Sequence, residues 1–297
     1  MTWNRNNEVN ESAGDWGGPW TEKKLETFSK YVWSYLVIMK KFPFWKTIYF
    51  DGFVGSGTKN KTGNSELYQQ LKITEEEERT YKGAAERVLD LKDNLSFNYY
   101  YFIDKNEKSL KKLEVKLREK FKNKNLIFRS EDANKQLVEL SSALNKNKYA
   151  ALILLDPFGM QIDWDSIEQL RGTRSDVWIL VPTGVIVNRL LDKKGKLEFS
   201  DKLESFFGLP IEEIKSYFYK EQKVQTLFGE EEIITKVSKP VEKIAKLYAE
   251  RMKTIWEHVT EEPLVLNNRN GVPLFHFVFA SNNKNAKKIA KQIIIST

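Results

Sequence analysis

Alternation constrains this chain more than any other feature. Five runs rich in β-branched, aliphatic and aromatic residues, Lys46–Asp51, Phe97–Ile103, Leu126–Phe128, Tyr149–Leu155 and Asp176–Val181, are separated by stretches with helical apolar spacing. The fourth run is apolar throughout, as a central parallel strand covered on both faces must be. This order predicts an α/β fold with a doubly wound, mostly parallel sheet. Ligands on such sheets bind beyond the carboxyl ends of the strands. Acids fall at those ends: Asp51, Asp104 and Asp156 follow their runs directly, and Asp132 lies in the loop after the third.

Each acid has a chemical reading beside a plainer one. After Asp51 the chain turns through Gly52-Phe53-Val54-Gly55-Ser56-Gly57-Thr58. Gly55 and Gly57 have no Cβ, so a ligand can lie against the main chain there. The segment lacks the third glycine of the dinucleotide fingerprint and the Gly-Lys-Ser/Thr ending of the P-loop, which argues against a nucleotide phosphate. Taken alone, Gly-x-Gly after a strand reads equally well as a turn. Asp104 follows the next strand and suits a ribose, because two carboxylate oxygens can accept both hydroxyl protons. Asp156-Pro157-Phe158-Gly159 combines a carboxylate, a carbonyl and an aromatic ring. The first two can accept hydrogen bonds from an amino group and the third can stack on an extruded base. The plainer reading is a turn that closes a buried strand.

Composition narrows the classes. The 297 residues include 8 Trp, 12 Tyr and 18 Phe, enough large apolar side chains to build a core. No cysteine is present, which excludes disulfides, thiol catalysis and thiolate-bound metals. With His258 and His276 the only histidines, a histidine-rich metal site is excluded too. No apolar run approaches the roughly 18 residues of a membrane span, and Met1-Thr-Trp-Asn does not read as a signal peptide. The expectation is a soluble, cytoplasmic protein without a membrane partner. The net charge of +7 favours a polyanion such as nucleic acid, although lysines interspersed with glutamates also describe an ordinary solvated surface.

Residues 1–18 read as a flexible tail. A helix follows from Thr21 as N-cap to before Pro43, packed on the sheet as a cover. Residues 19–187 form the main domain, with a long connection over 59–82. Residues 188–259 read as a charged, helical appendage. Residues 260–297 close the sheet with a hairpin, signalled by Asn270-Gly271, and a helix. His276 and His258 read as structural.

The segment Asp51–Thr58 resembles the first motif of S-adenosylmethionine (AdoMet) methyltransferases that modify nucleic-acid bases. The resemblance implies cofactor contacts at Asp51, Gly52, Phe53, Gly55, Ser56 and Gly57, with the glycines facing the methionine part and Asp51 beside its ammonium. It also implies that Asp104 holds the ribose, that Asp132 accepts from the adenine amine, and that Ala133 leaves room for the ring. The resulting fold is a Rossmann-like class I methyltransferase sheet with an antiparallel closing hairpin. Asp156, Pro157 and Phe158 resemble the Asp-Pro-Pro-aromatic motif of adenine amino-methyltransferases, with one proline missing. Asp-Pro-Phe-Gly is more similar to the motif of tRNA guanine exocyclic-amine dimethyltransferases, so adenine and guanine both stay open, as do DNA and RNA.

Over nearly its whole length the chain resembles the three-Cys-motif partner (TcmP) family. The resemblance rests on Trp20–Leu25, Tyr49–Gly57, Phe102–Asp104, Asp132–Asn134, Leu154–Gln161 and Phe279–Ser281. It implies a methyltransferase-like domain, a radical-AdoMet-like partner with a cysteine motif, and a bacterial modification or defence setting. The leading expectation is an AdoMet-dependent methyltransferase of an exocyclic amine on a nucleic-acid base. The alternatives are a non-catalytic or partner-dependent subunit and, more weakly, a metal-dependent nuclease using Asp51, Asp104 and Asp156; the leading expectation needs no metal.

Overall fold

A computed structural model describes residues 19–55, 83–91, 94–146, 148–157, 159–226 and 229–297. The expected tail over 1–18, the long connection over 59–82, and the site candidates Ser56, Gly57 and Phe158 lie outside those residues. The first helix, α1 (Pro19–Met39), feeds strand β1 (Lys46–Asp51). Then come α2 (Ala84–Leu89), β2 (Tyr99–Ile103), α3 (Glu107–Lys120), β3 (Leu126–Arg129), α4 (Ala133–Lys146), β4 (Tyr149–Leu155), α5 (Trp164–Glu168) and β5 (Ser175–Val181). A π-helical turn, Thr183–Val187, leads into the inserted segment: α6 (Ser200–Phe207), α7 (Ile211–Phe218), β6 (Tyr219–Thr226), β7 (Gly229–Lys236) and α8 (Pro240–Met252). The chain ends with β8 (His258–Val259), β9 (Leu264–Asn267), β10 (Pro273–Ser281) and α9 (Lys284–Ser296).

Among the described residues eight strands form one sheet in the order β3-β2-β1-β4-β5-β10-β8, with β9 also paired to β10. Strands β1 to β5 are parallel, whereas β10 runs antiparallel to β5, β8 and β9. The fold is therefore Rossmann-like with an antiparallel closing hairpin. The reversal of strand order between β2-β1 and β4-β5 puts the switch point at the tip of β1.

The pleat sends Tyr49 and Phe50 to opposite faces of the sheet. On the Tyr49 face, Phe28 of α1 packs at 6.1 Å from Tyr49, and Tyr31 lies 5.5 Å from Trp178 and 4.8 Å from Phe279. On the other face Ala133 of α4 comes up beneath Gly52 and Phe50. Burial of these large aromatics is the main stabilising term, about 25 cal/mol per Å² of apolar surface removed from water. After β5, a Cβ on Gly184 would meet the Pro273 carbonyl oxygen at 2.0 Å, so only glycine lets the π-helical turn cross the start of β10 there.

Three sequence expectations are corrected. Thr21 is not an N-cap: α1 begins at Pro19, whose fixed φ suits a first helical position, and Thr21 is buried inside the helix. Residues 188–259 are not wholly helical, because β6 and β7 form a separate antiparallel hairpin pairing Tyr219 with Lys236 through Thr226 with Gly229. Lys220, Glu221, Gln222 and Lys223 are exposed, so this ribbon lacks the apolar alternation that reveals a half-buried strand. His258 sits in β8 rather than at a helix end.

Candidate functional site at the carboxyl edge of the sheet

Register assembles the acids. Asp51 is opposite Phe102 in β2 and Leu154 in β4, so Asp104 and Asp156 each extend two residues beyond it on either side. Gly52 N–H donates to the Leu154 carbonyl (3.0 Å) and Val54 N–H to the Ile103 carbonyl (2.9 Å), which pins the glycine turn between both neighbours. A Cβ on Gly52 would come within 2.9 Å of Leu155 Cδ2, and Gly55 adopts φ 84°, a conformation that disfavours side chains. A Cβ on Gly55 would stand 3.8 Å from Asp104 Oδ2.

Asp51 and Asp156 are both buried. Asp51 accepts from the Tyr49 hydroxyl (3.1 Å) and the Phe53 N–H (3.3 Å). Burial, reinforced by the nearby charge of Asp156, pushes Asp51 up to about 7 despite those donors and Lys24. Asp156 Oδ2 is ion-paired with Lys24 of α1, whose side chain is 2% exposed. Burial raises Asp156 as well, and Lys24 opposes the rise. Asp156 Oδ1 is buried with no hydrogen-bond partner among the described residues.

Asp104 repeats this pattern. Its Oδ1 accepts from the Asn106 N–H (2.7 Å), while Oδ2 is buried and has no partner among the described residues. Burial pushes it up to about 6, against the Asn106 N–H. A buried carboxylate oxygen without a donor costs about 1–3 kcal/mol, a penalty that native structures avoid unless something else fills the gap.

Asp132 differs. Its Oδ1 caps α4 through the Asn134 N–H (2.7 Å), and its Oδ2 pairs with Lys105. Partial burial raises it, but Lys105 and the backbone donors outweigh that and leave it lowered. Lys105 is largely exposed, so this rim pair is worth at most about 1 kcal/mol and yields to a competing ligand. Ala133 opens α4 and is buried.

Asn134 ties the loop after β4 in place. Its Nδ2 donates to the Gln161 carbonyl (2.9 Å), and its Oδ1 accepts from the Asp163 N–H (3.0 Å) and the Ser166 hydroxyl (2.8 Å). Within that loop the Pro157 carbonyl accepts from the Gly159 N–H (3.0 Å), and Gly159 has φ 95°. One acceptor direction of that carbonyl is therefore used internally.

Asp51, Gly52, Phe53, Gly55, Asp104, Ala133, Asp156 and Pro157 thus converge on one edge, with Asp132 at its rim. Sequence reasoning missed Lys24 and the bond from Tyr49. The signal for Lys24 was present: it lies in phase with Phe28, Tyr31 and Tyr35 on the buried stripe of α1, where an unpaired lysine would be costly. Among the described residues no three of His, Cys, Asp and Glu are placed to hold a metal ion, so the nuclease alternative gains no support from this edge. His276 is a strand residue, bonded to the Thr183 hydroxyl (2.7 Å) and pushed down to about 4 by burial.

No protein-family model and no curated protein matches the chain. Among solved structures, a Legionella pneumophila protein described as LPL1258 of the DUF519 family is similar at 14% identity and a TM-score of 0.36, over 92% of this chain and 99% of that one. The functional reading therefore rests on the site itself. Among the described residues no helix is long and apolar enough to cross a membrane.

Proposed function

We propose that this protein is an AdoMet-dependent methyltransferase of an exocyclic amino group on a nucleic-acid base. The observation that carries the reading is the pair of buried carboxylate oxygens, Asp104 Oδ2 and Asp156 Oδ1, without partners among the described residues, at the ends of strands flanking a glycine turn. They suit the two hydrogen-bonding tasks of such a site. Asp104 Oδ2, beside Gly55, accepts from a ribose hydroxyl. Asp51, beside the turn, faces the methionine ammonium, whose charge favours its ionised form. AdoMet, when bound, supplies a methyl group on a positively charged sulfur.

Asp156 Oδ1 accepts one amino proton of the target base, and the second acceptor direction of the Pro157 carbonyl takes the other. Together they favour a tetrahedral nitrogen whose lone pair is free to attack, and acceptors fixed in advance need no reorganisation during the reaction. Transfer forms a carbon–nitrogen bond as the carbon–sulfur bond breaks, and the surplus proton leaves the nitrogen by way of Asp156 to solvent. Lys24 favours the ionised form of Asp156 against the effect of burial and holds Oδ2, so that Oδ1 stays available. Surface lysines supply phosphate contacts, so affinity for nucleic acid should fall steeply with salt.

The test is transfer of radiolabelled methyl groups into DNA and RNA by wild type and Asp156→Asn. Labelling lost in the variant with AdoMet binding intact supports the reading, and equal labelling overturns it. One observation favours a second reading: the Pro157 carbonyl already serves Gly159, and the second proline of the usual motif is absent. A subunit that acts only with a three-Cys-motif protein would label nucleic acid solely when that partner is added.

A further inference from the structure

The opposite edge of the sheet holds a cavity that the preceding reading does not use. It has a volume of about 540 Å³ and lies at the amino ends of β4 and β5. The carboxyl half of α1, the Gly172–Arg174 turn and the first turn of α9 wall it.

Four features define what fits there. Tyr35 is only 8% exposed and its ring stacks on Phe97 at 5.7 Å. Its hydroxyl has no hydrogen-bond partner among the described residues, yet it lies within reach of the charges of Asp176 and Arg174, which also line the cavity. Asp176 is itself occupied, accepting from the Tyr31 hydroxyl (2.7 Å) and the Ser281 hydroxyl (2.5 Å). Hence Tyr35 is the polar group left open. The guanidinium of Arg174 is held over the Trp45 ring at 4.1 Å, and Lys41 adds a second cation. The 13-residue α9 presents its amino end: the Asn283 side chain caps the Asn285 N–H, and Asn285 and Ala286 face the cavity. The remaining first-turn amides and the helix dipole favour an anion. Finally, Ile38, Phe42 and Ile289 make part of the wall apolar.

A bare inorganic anion would leave that apolar wall and the Tyr35 hydroxyl unused, and a neutral aromatic would leave the cations unused. The volume falls in the range of about 300–1,000 Å³ typical of organic-ligand sites. We propose that this cavity binds a nucleoside monophosphate unit. Its phosphate lies against Arg174 and the start of α9, its base lies along Phe42 and the apolar wall, and one of its polar atoms takes up the Tyr35 hydroxyl. The unit is either a free nucleotide or one residue of a single strand. The proposal is independent of methyl transfer, because no group at the carboxyl edge takes part.

Calorimetric titration with AMP, adenosine, inorganic phosphate and a single-stranded oligoribonucleotide tests it. AMP should bind more tightly than adenosine or phosphate. Arg174→Ala should weaken AMP at least about tenfold, as expected for loss of a charge-assisted contact. Tyr35→Phe, which keeps the buried ring, should weaken it about three- to tenfold without lowering the unfolding midpoint. Asp104→Asn, at the far edge, should leave AMP affinity unaltered whatever it does to AdoMet binding, and AdoMet should not compete with AMP. Oligonucleotide binding lost in Arg174→Ala would identify a strand as the source, and AMP binding alone a free nucleotide. Absence of AMP binding at millimolar concentration, AMP affinity unchanged in both variants, or displacement of AMP by AdoMet would overturn the proposal.

Discussion

Asp156 and Asp176 belong to neighbouring strands and stand at opposite edges of the same sheet, and burial raises both above the ordinary carboxylate range. Their oxygens are treated differently. Both oxygens of Asp176 are satisfied, by Tyr31 and Ser281, which ties α1 to β5 and β10. Asp156 has one oxygen on Lys24 and one on nothing among the described residues. A satisfied buried carboxylate is a fastening. A half-satisfied one costs stability, and under the proposed function its open oxygen is the acceptor for the target amine.

Variants at the two edges should therefore fail in different ways. Lys24→Met should have the largest effect on stability, about 3–5 kcal/mol, because it strands a buried carboxylate. Denaturant unfolding should show a smaller loss at pH 5 than at pH 8, since Asp156 escapes the penalty by taking a proton. Asp156→Asn keeps the shape of the site, and methyl transfer should fall about 10²- to 10³-fold in single-turnover assays. The unfolding midpoint should fall too, because Lys24 is left as a buried cation without its carboxylate, so the assay is run at a temperature where both proteins are folded and AdoMet binding is measured beside it. Asp176→Ala should show the converse, with AdoMet affinity retained and about 1–3 kcal/mol of stability lost as the Tyr31 and Ser281 hydroxyls lose their acceptor. If Asp176→Ala abolished AdoMet binding while Asp156→Asn only destabilised the fold, the contrast would be broken.

A smaller effect sharpens the same comparison through pH. Asp51 titrates near 7 in the folded chain, above the ordinary value of 3.8. Between those values the folded state holds a proton that the unfolded state has released. Its contribution to stability is therefore fully present at low pH and is lost as pH rises towards 7, by at most about 1.4 kcal/mol per pH unit for one proton. Asp51→Asn should flatten that part of the profile. AdoMet binding at about pH 7, to which burial pushes this group, should release a proton from Asp51, detectable as a dependence of the binding heat on buffer ionisation enthalpy.

Much of this was legible in the residues. Five runs rich in β-branched, aliphatic and aromatic residues, three of them ending at an acid, revealed the parallel strands, and Asn270-Gly271 revealed the closing hairpin, because both signals depend on local backbone preference and burial. The acids themselves were legible because a strand tip is a position in sequence as well as in space. For Lys24 only half was legible: its phase with Phe28, Tyr31 and Tyr35 marks it as a buried lysine, but its partner lies 132 residues away and nothing local names it. The β6–β7 ribbon was hidden for the opposite reason. Its exposed side chains carry no apolar alternation, and its pairing is set by the chain around it. The division of Asp132 between capping α4 and pairing with Lys105 also needed coordinates.

The most direct test of the central claim is calorimetric titration of the purified protein with AdoMet, beside the Asp104→Asn variant. The account predicts saturable binding to wild type and at least about tenfold weaker binding to the variant, because a ribose hydroxyl loses the charged oxygen that waits for it. Wild type that gives no binding heat, or a variant that binds as tightly as wild type, would contradict the assignment of this edge to the cofactor.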